Sequence, residues 1–175
     1  MLRDKNLIPL SHQHQHALAL CVRIERAFAS GSMNTREWQD EITVLFDGEI
    51  RYHFESEQQV LFPAARNLPP QQAKTAPAGD PGVGLDALVD ELLIEHGLIR
   101  RYVERARKYD LIATDLQMFA ATLSMHVRKE ERQLFEEMQR QMGPEQMEAL
   151  GEALDRYFEG SGMPGASCAL RKPTL

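Results

Sequence analysis

Apolar residues recur every three or four positions along four long stretches of the chain, and polar residues fill the positions between them. This spacing places the apolar side chains on one face of an α-helix. The first two stretches predict helices over residues 11–29 and 35–67. A Ser-Gly-Ser sequence follows the first helix and a proline pair follows the second, and both are typical of helix ends.

The third and fourth stretches predict helices over residues 85–106 and 111–142. Gly143-Pro144 interrupts the pattern and opens a shorter helix that runs to Phe158, since proline is favoured in the first turn of a helix. The chain contains no stretch with the alternating pattern of a strand.

These elements predict an all-α fold, an up-down-up-down four-helix bundle with a short additional C-terminal helix. The segment 68–84, between the second and third helices, contains several prolines and glycines and is long enough to cross the end of the bundle as a loop. We expect one domain over residues 1–159. Residues 160–175 are rich in glycine, proline and serine and are predicted to form a flexible tail.

A ten-residue phrase occurs twice, as HFESEQQVLF at 53–62 and as HVRKEERQLF at 126–135. In each copy a histidine is followed four residues later by a glutamate, which gives the pairs His53 with Glu57 and His126 with Glu130. Residues four apart lie one above the other on a helix. An imidazole and a carboxylate on an apolar helix face suit iron, manganese or zinc, and two such helices facing each other would suit a pair of metal ions.

The other two long helices each carry a histidine at a matching height in the predicted bundle. Counted from the connecting turns, His14 is level with His53, and His96 is level with His126, to within about one turn at ~1.5 Å per residue. Four histidines, one from each helix, can therefore meet in the middle of the bundle.

The first helix offers a choice of three histidines, His12, His14 and His16. His14 shares the apolar stripe with Leu10 and Ala17, whereas the other two point toward the opposite, solvent-facing side. We take His14 as the predicted ligand and His16 as the alternative.

Several phrases of the chain resemble the hemerythrin-like HHE cation-binding domain. They are LSHQH at 10–14, HFESE at 53–57 with LFP at 61–63, EH at 95–96 and HVRKEE at 126–131. The resemblance covers roughly residues 8–140 and includes the order and spacing of all four histidine-bearing helices. A single His-x-x-x-Glu would be weak support, but both copies together with the two further histidines form a specific pattern.

This resemblance implies a non-haem di-iron centre inside a four-helix bundle, with carboxylates that bridge the two irons. Manganese or zinc in place of iron stays open. The family pattern implies these metal ligands: His14 and His53 on one iron, His96 and His126 on the other, and Glu57 and Glu130 as bridges.

The chain departs from the oxygen carriers of this family in the third helix. Those carriers place two histidines four residues apart there, whereas this chain has only His96, with Leu92 and Arg100 on the adjacent turns. One nitrogen ligand is therefore missing, and both irons would keep open positions for solvent or O2. A more open centre fits sensing, iron handling or redox chemistry better than reversible O2 transport.

Three function classes follow from this pattern. The leading interpretation is a di-iron module that senses or handles O2, iron or a related small oxidant, with signal output through a conformational change or a protein partner. The second is a di-iron redox enzyme that processes peroxide or nitric oxide. The third is a structural zinc-binding bundle, which ranks last because structural zinc sites commonly use cysteine. A ferritin-like di-iron site is a neighbouring alternative on the same architecture. The spacing argues against it, because ferritin-like sites use Glu-x-x-His, whereas both pairs in this chain are His-x-x-x-Glu.

Three further glutamates lie beside the predicted ligands in sequence. Glu49 is one turn before His53 and is either its hydrogen-bond partner or a partly exposed residue. Glu95 and Glu131 are rotated off the apolar stripe and are predicted to be surface charges. A metal-free alternative pairs each repeated glutamate with its own histidine, but it leaves the level histidines unexplained.

Composition limits the remaining interpretations. The net charge of −6 argues against a general nucleic-acid-binding protein, which would carry a basic patch or stripe. No run approaches the ~18 apolar residues of a membrane span. Cys21 and Cys168 form no metal or disulfide framework, so we expect a cytoplasmic protein.

Overall fold

The computed structural model describes residues 2–69 and 85–163 of the chain. Within these ranges the chain forms five helices and no strand. They are α1 (Ile8–Ala29), α2 (35–66), α3 (Leu85–Ala106), α4 (113–141) and α5 (Pro144–Ser161). The residues 70–84 of the predicted loop and 164–175 of the predicted tail lie outside the described residues, and the start of that tail belongs to α5.

The four long helices form the predicted bundle. α1 packs beside α2 and α4, and α3 packs beside the same two helices on the other side, while α5 packs against the second half of α2. The all-α four-helix architecture with an additional C-terminal helix is confirmed. None of the described helices is long and apolar enough to cross a membrane.

The core consists of two apolar clusters with a layer of buried polar side chains between them. On every long helix, the predicted ligands lie between residues of one cluster and residues of the other. One cluster includes Leu10, Leu61, Leu92 and Leu134, and the other includes Ala17, Ile50, Ile99 and Leu123. The apolar residues on both sides exclude water from the polar layer and hold its height in the bundle.

α2 and α4 are not regular helices along their whole length. π-helical turns occupy Phe46–Ile50 and Glu57–Leu61 in α2, and Glu130–Leu134 in α4. A π-helical turn inserts an extra residue into the helix and often marks a functional site. Two of these turns begin at the repeated glutamates, which the α-helical spacing of the sequence did not predict.

The π-helical turns explain the Leu-Phe ending of the repeated phrase. The backbone N–H groups of Phe62 and Phe135 donate to the carbonyls of Glu57 and Glu130, five residues earlier. The extra residue rotates the following segment, and both phenylalanine rings are buried. Pro63 follows directly, in the first turn of the α-helical segment Phe62–Arg66, so that it does not break α2.

The N-terminal residues 2–7 lie against α4 and α5. Arg3 donates to the Gln139 side chain at 2.8 Å, and Asn6 reaches Gly151 in α5. A Cβ atom at position 151 would lie 2.3 Å from Asn6 Oδ1 and 2.8 Å from Asn6 Cβ. The close approach of this segment to α5 therefore requires glycine.

We expect Gly151→Ala to destabilise the protein by ~1–3 kcal/mol, because the clash reaches the Cβ of Asn6 and a side-chain rotation cannot relieve it. Urea unfolding measures the change. Gly160→Ala in the same helix is the matched control, since a Cβ there meets nothing within 4 Å. Equal stability of both variants would show that Asn6 does not pack on Gly151.

Candidate metal centre

The polar layer contains all six side chains that the sequence predicts as metal ligands. Each of them is at most 2% exposed. They form two groups that share both glutamates, and within each group one ligand atom per residue lies within 4.8 Å of every other. The groups are His14, His53, Glu57 and Glu130, and His96, His126, Glu57 and Glu130. We refer to His14 and His53 as the first histidine pair, and to His96 and His126 as the second.

Glu57 directs one carboxylate oxygen toward each histidine pair. Its Oε1 lies 3.1 Å from His53 Nε2, and its Oε2 lies 3.3 Å from His96 Nε2. Because the two oxygens of one carboxylate face different groups, the side chain is placed between two positions rather than at one.

Glu130 repeats this arrangement from the opposite helix. Its Oε2 lies 3.1 Å from His14 Nε2, and its Oε1 lies 3.4 Å from His126 Nε2. Each histidine pair therefore faces one oxygen from each glutamate, which gives two sets of two nitrogens and two oxygens. This is the geometry in which two carboxylates can bridge a pair of cations.

The Nε2 atoms converge within each pair. His14 Nε2 lies 2.9 Å from His53 Nε2, and His96 Nε2 lies 3.1 Å from His126 Nε2. Two atoms that bind one ion at ~2.0–2.2 Å from roughly perpendicular directions are about 3 Å apart. His14 and His53 both use Nδ1 in hydrogen bonds to oxygen, so their facing Nε2 atoms carry lone pairs that a cation or a shared proton must separate.

The carboxylate oxygens of the two glutamates face only histidine nitrogens. Apart from these nitrogens, the described residues place no hydrogen-bond donor at either oxygen of Glu57 or Glu130. A buried carboxylate costs several kcal/mol unless a positive charge compensates it. The buried carboxylates and the converging nitrogens together fit metal cations.

The buried groups of the layer shift one another's pKa values. Burial alone would raise the pKa of Glu57, but His53 and His96 outweigh burial and hold this pKa well below its ordinary value. Burial alone would lower the pKa of His14, but Glu130 and Glu131 raise it to about 9. At His96 burial outweighs Glu57 and lowers the pKa of the imidazole. The layer therefore keeps Glu57 ionised and holds a proton on His14 when no other cation is present, but it does not favour a proton on every histidine.

The outward nitrogen of every histidine in the layer has a side-chain partner, which we call its outer partner. His14, His53 and His126 donate from Nδ1 to carboxylate or amide oxygens, and His96 Nδ1 accepts from an amide nitrogen. The distances from Nδ1 are 2.7 Å from His14 to Glu131 Oε1, 2.7 Å from His53 to Gln13 Oε1, 2.9 Å from His126 to Glu95 Oε2 and 2.8 Å from His96 to Gln58 Nε2. Such partners fix the orientation of a metal-binding imidazole.

The prediction that Glu95 and Glu131 are surface charges is wrong. Each is rotated off the buried face of its own helix, but it reaches across the seam to a histidine on the neighbouring helix. Glu131 also pairs with Arg3, and Glu95 pairs with Lys129. The signal in the sequence was their position directly beside a predicted ligand.

The remaining polar residues near the layer take other roles. Glu49 contacts the exposed His16, with Oε1 2.9 Å from His16 Nδ1, and no hydrogen bond or ion pair of the described residues joins it to His53. His12 and His16 are exposed, whereas His14 lies in the buried layer.

A four-helix bundle with buried histidines and carboxylates around two shared positions defines a metal-binding helical protein. The chain matches the family model described as the Hemerythrin HHE cation binding domain over residues 9–138. This match covers most of the chain, so the protein belongs to the hemerythrin HHE cation-binding family, as the sequence resemblance predicted. No curated protein and no solved structure matches the chain significantly.

Proposed function

We propose that the protein binds two non-haem iron ions in the buried layer and uses them to sense or handle O2 or a related small oxidant. The observation that carries this proposal is the division of each carboxylate between the two histidine pairs. The proposed ligands are His14 and His53 for one ion, His96 and His126 for the other, and Glu57 and Glu130 as bridges between them.

The donor set argues against a structural zinc site. Imidazole and carboxylate suit iron, manganese and zinc, and the described groups include no cysteine, which structural zinc sites commonly use. Bound iron would supply one-electron redox chemistry and open coordination positions for a small ligand. Two nitrogens and two shared oxygens per ion leave about two of roughly six positions free.

The surrounding side chains orient the histidines and exclude water. The Phe54 ring stacks on the His96 imidazole with centroids 3.7 Å apart, and the Phe135 ring stacks on His14 at 5.5 Å. Leu92 lies one turn before His96 and is fully buried. A histidine at this position could have been a further ligand, whereas the leucine gives the layer an apolar wall. Because the layer itself is almost completely buried, the reactants that we propose are small molecules such as O2, nitric oxide or peroxide.

Metal analysis of the untagged protein, with absorption and Mössbauer spectra of the same sample, tests the proposal. We expect about two irons per chain and, after oxidation, an exchange-coupled ferric pair with near-ultraviolet charge-transfer absorption. One zinc per chain, or a well-folded protein that binds no metal, would refute it. Turnover of peroxide or nitric oxide far above that of free iron would instead assign the site to a redox enzyme.

Variants of the first-helix histidines test the proposed ligand in α1. We expect His14→Ala to lower the metal content, because it removes the Nε2 atom that lies 2.9 Å from His53 Nε2. His12→Ala and His16→Ala should leave the metal content unchanged, since both side chains are exposed. Atomic absorption on the three variants measures this difference, and the reverse result would move the ligand to another histidine.

A further inference from the structure

The outer partners of the four histidines follow the internal repeat of the chain. The segment with α1 and α2 corresponds to the segment with α3 and α4, so that His14 corresponds to His96 and His53 to His126. The residue before His14 or His96 is the outer partner of the following helix's histidine. The residue after Glu57 or Glu130 is the outer partner of the first ligand histidine of the other segment, His96 or His14 respectively.

At these corresponding places the first segment has amides and the second segment has carboxylates. The residue before the histidine is Gln13 in one segment and Glu95 in the other, and the residue after the glutamate is Gln58 in one and Glu131 in the other. The first histidine pair therefore has one carboxylate outer partner, Glu131, and one amide, Gln13. The second pair also has one of each, Glu95 and Gln58.

We propose that this distribution, one carboxylate and one amide at each histidine pair, balances the two metal positions, and that residues 58 and 131 set their relative affinity for a cation. The inference rests on the proposed function, since it requires one metal ion at each histidine pair. A carboxylate that accepts from Nδ1 makes the imidazole a more basic ligand than an amide does. Because each histidine pair has one carboxylate among its outer partners, neither metal position should bind a cation more tightly than the other.

Residues 58 and 131 each contact one histidine Nδ1 and one arginine, so that exchanging them keeps the kind of partner at both positions. Glu131 accepts from His14 Nδ1 with Oε1 and pairs with Arg3 through Oε2. Gln58 offers its nitrogen to His96 Nδ1 at 2.8 Å and its oxygen to Arg100 Nη2 at 3.5 Å.

The difference between the two positions is the number of acceptor atoms. A histidine that binds metal through Nε2 carries its proton on Nδ1 and must donate from it. The single amide oxygen of Gln58 then serves either His96 or Arg100, whereas a glutamate has an oxygen for each. Gln58→Glu should therefore raise the cation affinity at the second histidine pair, and Glu131→Gln should lower the cation affinity at the first.

The test is the exchange variant Gln58→Glu/Glu131→Gln in the full-length chain. It has the same composition and net charge as the natural protein, so that changes in overall charge do not contribute. Co²⁺ titration of the metal-free protein, followed by absorption and calorimetry, gives two stepwise binding constants. Changing an outer partner alters affinity by ~10–100-fold, so the ratio of the two constants should grow by ~10²–10⁴-fold while their product changes little.

Each single variant isolates one side of the exchange. Glu131→Gln should weaken one of the two constants by ~10–100-fold, and Gln58→Glu should strengthen one by a similar factor. Glu49→Gln is the matched control for loss of a nearby negative charge, since Glu49 contacts the exposed His16. The two Co²⁺ binding constants of the Glu49→Gln variant should equal those of the natural protein.

The outcomes separate this inference from the proposed function. An unchanged ratio in the exchange variant, or a fall of both constants together, would overturn the inference and make residues 58 and 131 merely structural. If the natural protein binds fewer than two Co²⁺ ions in the layer, the proposed pair of metal positions fails, and the inference fails with it.

Discussion

Glu57→Gln should remove both metal ions from the protein, not one. The two oxygens of Glu57 face different histidine pairs, 3.1 Å from His53 Nε2 and 3.3 Å from His96 Nε2. An amide retains the size of the side chain but has no negative charge and only one acceptor atom. Each metal position would therefore lose half of its carboxylate charge, and we expect the iron content to fall from about two to well below one per chain.

Glu130→Gln should give the same result, because Glu130 bridges the same two groups from α4. Metal analysis together with circular dichroism distinguishes loss of metal from loss of fold, and Glu49→Gln is the control for a removed carboxylate outside the layer. A variant that retains one tightly bound iron would show that the glutamate serves a single position. The bridging assignment would then be wrong.

Removal of the metal should lower the thermal stability of the protein by about 15–30 °C. A ligand at a thousand times its dissociation constant stabilises the native state by ~4 kcal/mol per site, and two sites give ~8 kcal/mol. For a domain of this size, ~1 kcal/mol corresponds to a shift in Tm of ~2–4 °C. Calorimetry before and after chelation, and again after iron is restored, measures the effect.

The stripped protein should nevertheless remain helical, because the apolar clusters on both sides of the polar layer do not depend on the metal. The Glu57→Gln variant should show almost no change in Tm on chelation. If the natural protein has the same Tm with and without metal, the ions do not bind the native layer tightly. Recovery of the original Tm with iron excludes damage by the chelator.

Most of the fold was predictable from the sequence, because helical periodicity is a local property. The apolar stripe of α3 gave its bounds, residues 85–106, as the structure has them. α1 begins earlier than predicted, at Ile8, because Pro9 fits the first turn of a helix and does not end one. The π-helical turns at Glu57 and Glu130 were not predictable, since they insert residues into a pattern that was read with one fixed period.

The predicted ligands of the site could be identified from the sequence, but the carboxylate outer partners could not. His53 and Glu57 lie four apart on one helix, so their spacing alone placed them side by side. Glu131 and Glu95 act on histidines of neighbouring helices, and their contacts depend on how those helices pack. Their positions on their own helices indicated solvent, and only the seam between helices makes them partners of buried groups.

The sequence by itself determined the helices, the repeated His-x-x-x-Glu phrase and the family, because these depend on spacing along one chain segment. The tertiary structure decided which glutamate oxygen faces which histidine pair, and which side chain holds each outward nitrogen. Those relations join atoms from different helices, across separations such as the 117 residues between His14 and Glu131. The packing of the bundle sets such distances, and no local pattern encodes them.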